Sequence, residues 1–139
     1  MLNTEQLRVA TLEENGKVLK FNKGIYRITN LNFANLNLTK IDFNQVQSVI
    51  RCNFNDNKLT QINFKNLTEM DFCSFINNLI NELIFVKDLK IELYRCNFRC
   101  NRISQLNLTD VQELRDCIFI ENPIKTILNP DCIINCTMI

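Results

Sequence analysis

The chain has 139 residues, with 16 Lys or Arg against 15 Asp or Glu and a net charge of +1. That is enough chain for one domain with a continuous core, and a near-neutral balance without a basic run gives no support to nucleic-acid binding. Nothing apolar is long enough to cross a bilayer, polar Met1–Ala10 does not read as a secretory signal, and only two Gly and two Pro interrupt the chain, so no linker is marked.

Residues 1–27 fit either of two caps. Asn15-Gly16 is a strong hairpin-turn dipeptide, flanked by the strand-like runs Val9–Glu13 and Val18–Phe21. Ala10-x-Leu12-x-x-Asn15 instead keeps phase with the repeat that follows, and this phase favours a degenerate capping repeat. Either way, a strand near Arg8–Glu13 is expected to cover the first core layer.

Leu31-x-Phe33-x-x-Leu36-x-Leu38-x-x-Ile41-x-Phe43 opens the array. Cys52-x-Phe54-x-x-Asn57 then returns as Cys73-x-Phe75-x-x-Asn78, Cys96-x-Phe98-x-x-Asn101 and Cys117-x-Phe119-x-x-Asn122, at steps of 21, 23 and 21 residues. Apolar residues precede each Cys by three (Val49, Met70, Leu93, Leu114) and follow each Asn by two (Leu59, Ile80, Ile103, Ile124) and by five (Ile62, Leu83, Leu106, Ile127). Self-similarity at this period marks a solenoid, whose units bury their apolar faces only against their neighbours. The two extra residues of the longer step are expected as a bulge near Val86–Lys90. The repeats occupy residues 28–128, and residues 129–139 form a final strand, where Ile133-x-x-Cys136-x-Met138 restarts the pattern.

Alternation in x-Cys-x-Phe-x predicts a short strand with one buried face. One strand per coil stacks into a parallel sheet at about 4.8 Å per strand. Each Asn stands where the chain turns out of that strand, and its amide has donors and an acceptor for backbone groups that the turn buries. Leu36 holds this place in the first coil and cannot do the same, so that coil is expected to be looser. The return side has about ten residues, too few for a long helix.

The unit apolar-x-x-Cys-x-Phe-x-x-Asn-x-(Leu/Ile) resembles the leucine-rich repeat, L-x-x-L-x-L-x-x-N-x-L, with Cys at the central Leu position and Phe at the next. The likeness covers roughly residues 7–139 and is strongest over 28–128. It implies an α/β-type repeat solenoid, a right-handed curved superhelix of about six to seven coils. The concave face would carry a parallel β-sheet, and the convex face short extended or helical-turn segments. The resemblance also implies protein recognition.

Of seven cysteines, Cys52, Cys73, Cys96 and Cys117 fall on one core column that Cys136 continues. A buried free thiol there packs as a small hydrophobe. Without a secretion signal a disulfide framework is not expected. Cys96-x-x-x-Cys100 and Cys132-x-x-x-Cys136 have a metal-like spacing, but the column uses Cys96 and Cys136 and the chain has no His, so neither metal nor cofactor is expected. The Asn-x-Thr sequons at Asn37, Asn66, Asn107 and Asn135 are expected to stay unmodified. Cys136-Thr137-Met138-Ile139 has the C-a-a-X form of a prenylation site. The same residues read as the Cys-x-Phe pair of a last strand, which is favoured, so Cys136 lipidation and membrane attachment are not expected.

The absence of His removes the commonest general base, and no nucleophile elbow, phosphate loop, dinucleotide fingerprint or zincin pattern appears, so an enzyme is not expected. Repeat solenoids present a long strand-lined surface for binding. Residues beside the buried Cys and Phe point outward there, and Arg51, Phe72, Ile76, Arg95, Arg99, Ile118 and Ile120 are the expected contacts, apolar groups set among charge. The expected function is non-catalytic binding of another protein, not nucleic acid, by a cytoplasmic module in a reducing compartment. A second expectation is an assembly subunit that self-associates through its C-terminal end, because Ile133–Ile139 carry no polar cap.

Overall fold

The chain turns a corner wherever a residue takes the left-handed backbone conformation, and such residues recur with the repeat. In the computed structural model, which describes all 139 residues, Asn30, Arg51, Phe72, Arg95, Asp116 and Asn135 stand one before the Leu/Cys column with φ of 51–58°. Asn35, Asp56, Asn77, Cys100 and Glu121 stand five residues further on, with φ of 58–61°. Between corners only short extended segments fit, so every side of the coil is brief.

The first strands form a hairpin, β1 (Ala10–Glu13) and β2 (Val18–Phe21), antiparallel with Ala10 opposite Phe21 and Glu13 opposite Val18. Strands then alternate between two sides of the coil. One side holds β3 (Arg27–Thr29), β5 (Ser48–Ile50), β7 (Glu69–Asp71), β9 (Ile91–Tyr94), β11 (Val111–Arg115) and β13 (Ile133–Ile134), in one parallel sheet of six strands. The other holds β4 (Lys40–Asp42), β6 (Gln61–Asn63), β8 (Glu82–Ile84), β10 (Gln105–Asn107) and β12 (Thr126–Leu128). There β2 pairs β4, β6 pairs β8 and β10 pairs β12, all parallel. Single bridges through Asn32, Asn53, Ser74, Asn97, Ile118 and Thr137 join the coils along a third side. The molecule is therefore a mostly parallel β-solenoid of about six turns.

Three expectations about the coils change. The α/β layout gives way to an all-β one: the only α-helix, α1, is Thr4–Leu7, and the only 3-10 turn is Pro130–Cys132. The return side alternates buried and exposed side chains, as at Gln61–Asn63 and Gln105–Asn107, and so runs extended instead of helical. Strands occupy more than one side, so no strand-lined concave face stands opposite a helical convex one. The regular strands of the six-stranded sheet centre on Val49, Met70, Leu93 and Leu114 rather than on the Cys-x-Phe pairs. A left-handed residue between the two positions interrupts the extended run.

The N-terminal cap is the hairpin and not a degenerate repeat. Asn15 and Gly16 both have positive φ, 59° and 81°, as the reversal of a tight hairpin requires. Its second strand begins the solenoid, since Val18 pairs Lys40 in parallel register. The two extra residues fall where expected, because Glu82 pairs Gln61 before Val86–Lys90 while Leu93 pairs Met70 after it. The turn at Lys87–Leu89 takes them up.

Inside the coils Phe33, Phe54, Phe75, Phe98 and Phe119 form one column, with ring centroids 5.5, 5.0, 5.2 and 5.1 Å apart and planes within 12° of parallel. Such stacking adds about 0.5–1.5 kcal/mol per pair to the apolar area it buries. Cys52, Cys73, Cys96 and Cys117 are buried beside it.

Candidate protein-binding face

Asn57, Asn78, Asn101 and Asn122 fix the geometry beneath the face. Each Nδ2 donates to the Phe carbonyl of its own coil and to that of the coil before; for Asn101 these are Phe98 at 3.0 Å and Phe75 at 2.9 Å. Each Oδ1 accepts a backbone N–H from the preceding coil: Leu38 for Asn57, Leu59 for Asn78, Ile80 for Asn101 and Ile103 for Asn122. Asn57 also accepts from the N–H of Leu36 at 3.0 Å, so the turn that lacks its own Asn is served by the next coil. No buried side-chain nitrogen or oxygen is left unpaired. The ladder fixes the rise between coils, and with it the spacing of the outward side chains.

Those side chains form rows. Along the first corner run Asn30, Arg51, Phe72, Arg95, Asp116 and Asn135. Asn and Asp tolerate left-handed φ because their short polar groups bond locally, whereas a bulky residue there is a genuine outlier. Phe72 has φ 58° and its side is 54% exposed, so it gains neither backbone comfort nor full burial at this corner. The Arg95 guanidinium carbon lies 4.7 Å from the Phe72 ring centroid, in cation–π contact. Arg95 is held there by Asp71 through two bonds, Nε to Oδ1 at 2.9 Å and Nη2 to Oδ2 at 2.6 Å. This fork is the geometry that gives an arginine a fixed orientation. Arg51, on the other flank of Phe72, makes no salt bridge.

Two shallow grooves meet at Phe72. Arg51, Asn53 and Ser74 line one, and Arg95, Asn97, Asp116 and Ile118 line the other. Arg51, Phe72, Arg95 and Ile118 are thus brought together. The remaining expected contacts are not. Ile76 is half-buried in neither groove. Arg99, one residue before the second corner, is bound to Glu121 on that corner of the next coil, Nη2 to Oε1 at 2.6 Å. The Cys100 thiol, 2.8 Å from Glu121 Oε2, and the Arg99 guanidinium hold that carboxyl below its usual range. Ile120 is half-buried and belongs to a groove at the C-terminal end. Arg51, Phe72 and Arg95 were expected to project from a strand and instead occupy corners. The signal was present in the aligned rows, where the same position is Asn30, Asp116 and Asn135.

The thiols of Cys52, Cys73, Cys96 and Cys117 sit inward, and those of Cys100, Cys132 and Cys136 are half-buried. Burial, then contact with Cys117 and Cys73, pushes the Cys96 thiol well above its ordinary value, whereas hydrogen bonds from neighbouring thiols of the column pull Cys73 and Cys117 down. All seven cysteines are free. No group of three or more His, Cys, Asp or Glu is arranged to hold a metal. Cys136 Sγ lies 3.3 Å from the Leu114 carbonyl and 3.4 Å from the Cys117 N–H, so this thiol continues the column. No helix is long and apolar enough to cross a membrane.

Comparison with protein-family models, with curated proteins and with solved structures returns no match.

Proposed function

We propose that the chain is a non-catalytic protein-binding module that engages another protein through the corner row Arg51, Phe72 and Arg95 and the adjoining Ile118. One observation carries this reading: an exposed phenylalanine at a left-handed corner, where three of the other five coils place Asn or Asp and the two flanking coils place Arg. Backbone conformations of this kind cost about 1–3 kcal/mol, and they cluster at ligand clamps and switch regions. An aromatic group with arginines beside it is the usual composition of an interface anchor. The leucine-rich-repeat pattern of the sequence supports the same reading, since that resemblance implies protein recognition. Seven unpaired thiols support a reducing, cytoplasmic setting.

The test uses Phe72→Asn, which suits the corner. The variant should melt at or above the wild-type temperature, because Asn relieves the left-handed strain by about 1 kcal/mol. In matched pull-downs from native lysate, read by mass spectrometry, it should lose a protein that the wild type retains. Equal recovery by both proteins would move the binding site away from this corner.

A further inference from the structure

The two arginines beside Phe72 stand in different charge environments. In the six-stranded sheet Thr29 pairs Ile50, Ile50 pairs Asp71 and Asp71 pairs Tyr94. Arg51 follows Ile50 and Arg95 follows Tyr94, so the neighbour one coil back is Thr29 for Arg51 and Asp71 for Arg95. Asp71 holds Arg95 with both carboxylate oxygens. Thr29 has no carboxylate to offer, and Arg51 stands exposed without an ion pair.

The grooves on either side of Phe72 inherit this difference. In the first, Arg51 is the only charged residue. Asn53 Oδ1 already accepts from the Asn55 N–H, and the Ser74 hydroxyl already donates to Asn55 Oδ1. The strongest groups left to meet a ligand there are donors, the Arg51 guanidinium and Asn53 Nδ2. In the second groove the charges balance, because Arg95 and Asp116 both line it. Arg95 is engaged by Asp71, Asp116 Oδ1 accepts from the Asn135 amide and Asn97 Oδ1 from the Arg99 N–H. Half-buried Ile118 adds an apolar wall.

We infer that the partner crosses this corner as an extended segment that sets an Asp or Glu carboxylate on Arg51 and, two residues away, an apolar side chain between Phe72 and Ile118. This choice of partner rests on the corner being the binding face, and it names what that face selects. One free guanidinium matches one carboxylate through a two-bond fork. A phosphate group is the ligand of an arginine cluster, and the neighbouring Arg95 is already held. Successive coils stand about 4.8 Å apart, so the two grooves are separated by one to two coil steps, about 5–10 Å. Alternate side chains on one face of an extended chain are about 6.7 Å apart, which lets them straddle the Phe72 ring while the residue between points away. A helix is about 10–12 Å across, broader than that separation. A Lys or Arg at the acidic position would meet like charge at Arg51, so the corner also rejects basic segments.

The probe is a library of random short peptides displayed on phage, selected on the immobilised whole chain and counter-selected on Phe72→Asn. Recovered peptides should share Asp or Glu two positions from Leu, Ile, Val, Met or Phe. Binding of a synthetic peptide of that sequence is then read by fluorescence anisotropy. Arg51→Asn, which suits the left-handed corner, should weaken it about tenfold or more. The same loss should follow when the peptide's acidic residue becomes Asn or Gln. Arg27→Gln removes the same charge from an exposed position on β3 and should leave binding unchanged. Cooperative circular dichroism melts confirm that both variants are folded. Peptides that need Phe72 but carry no acidic residue overturn the inference and leave the corner as the binding face, as do peptides that bind folded Arg51→Asn as tightly as wild type. Tighter binding when phosphoserine replaces the acidic residue overturns it too. Recovery of no peptide that distinguishes the wild type from Phe72→Asn overturns the corner itself as the binding face, and this partner with it.

Discussion

Asn101 shows how one side chain sets the geometry of a whole coil. Its amide bonds the carbonyls of Phe75, Phe98 and Arg99 and the N–H of Ile80, all while only 7% exposed. A leucine of similar size would fill the space and satisfy none of these groups. Each buried backbone group left without a partner costs about 1–3 kcal/mol. Asn101→Leu should therefore lower stability by about 1–3 kcal/mol in urea titrations, allowing for partial solvation of the turn. An unchanged midpoint would mean that the ladder does not hold the turns. The corner positions obey a different rule, because they need a backbone tolerance and not a bonding pattern. Asn30, Asp116 and Asn135 meet it cheaply, and Phe72 does not.

At the scale of the element, a side of the coil is a three- to five-residue extended segment between corners, and its stability comes from the columns it joins. Phe75 lies fully buried between Phe54 at 5.0 Å and Phe98 at 5.2 Å. Phe75→Ala should cost about 3–5 kcal/mol through the cavity it leaves in the column, measured as a shift in the urea midpoint. A loss below about 1 kcal/mol would place Phe75 outside the core. The buried columns were legible in the sequence because a burial column repeats with the coil and tolerates few residue types. Cys52, Phe54, Asn57, Leu59 and Ile62 all lie inside, and the bulge at Val86–Lys90 follows from the longer step. Strand position was less legible. Val49 and Phe54 are both buried between less buried neighbours, and nothing in that alternation reveals the left-handed turn at Arg51 between them. Of the extended or helical-turn segments expected on the return side, the extended form is the one present, at β6 and β10, where Ile62-x-Phe64 and Leu106-x-Leu108 alternate as strands do. The cap is likewise decided by local backbone geometry. The phase of Asn15 matched the repeat, while its hairpin geometry is set locally by the Asn-Gly pair.

At the scale of the whole molecule, a solenoid holds a row of side chains at fixed spacing, because each coil bonds only to its neighbours. The first corner row thereby becomes a regular edge in which Phe72 stands between Arg51 and Arg95 without any loop to position it. Close-packed columns and the asparagine ladder keep that edge rigid, which lowers the entropy lost when a partner binds. The central claim is that this edge meets a protein. It is tested most directly by placing a photo-crosslinking phenylalanine analogue at position 72 and, in a matched chain, at Gln105 on β10. The account predicts a covalent adduct with a second protein from position 72 on irradiation in cells, and none from Gln105. Adducts from Gln105 with none from position 72 would contradict it and assign the contact to another side of the coil.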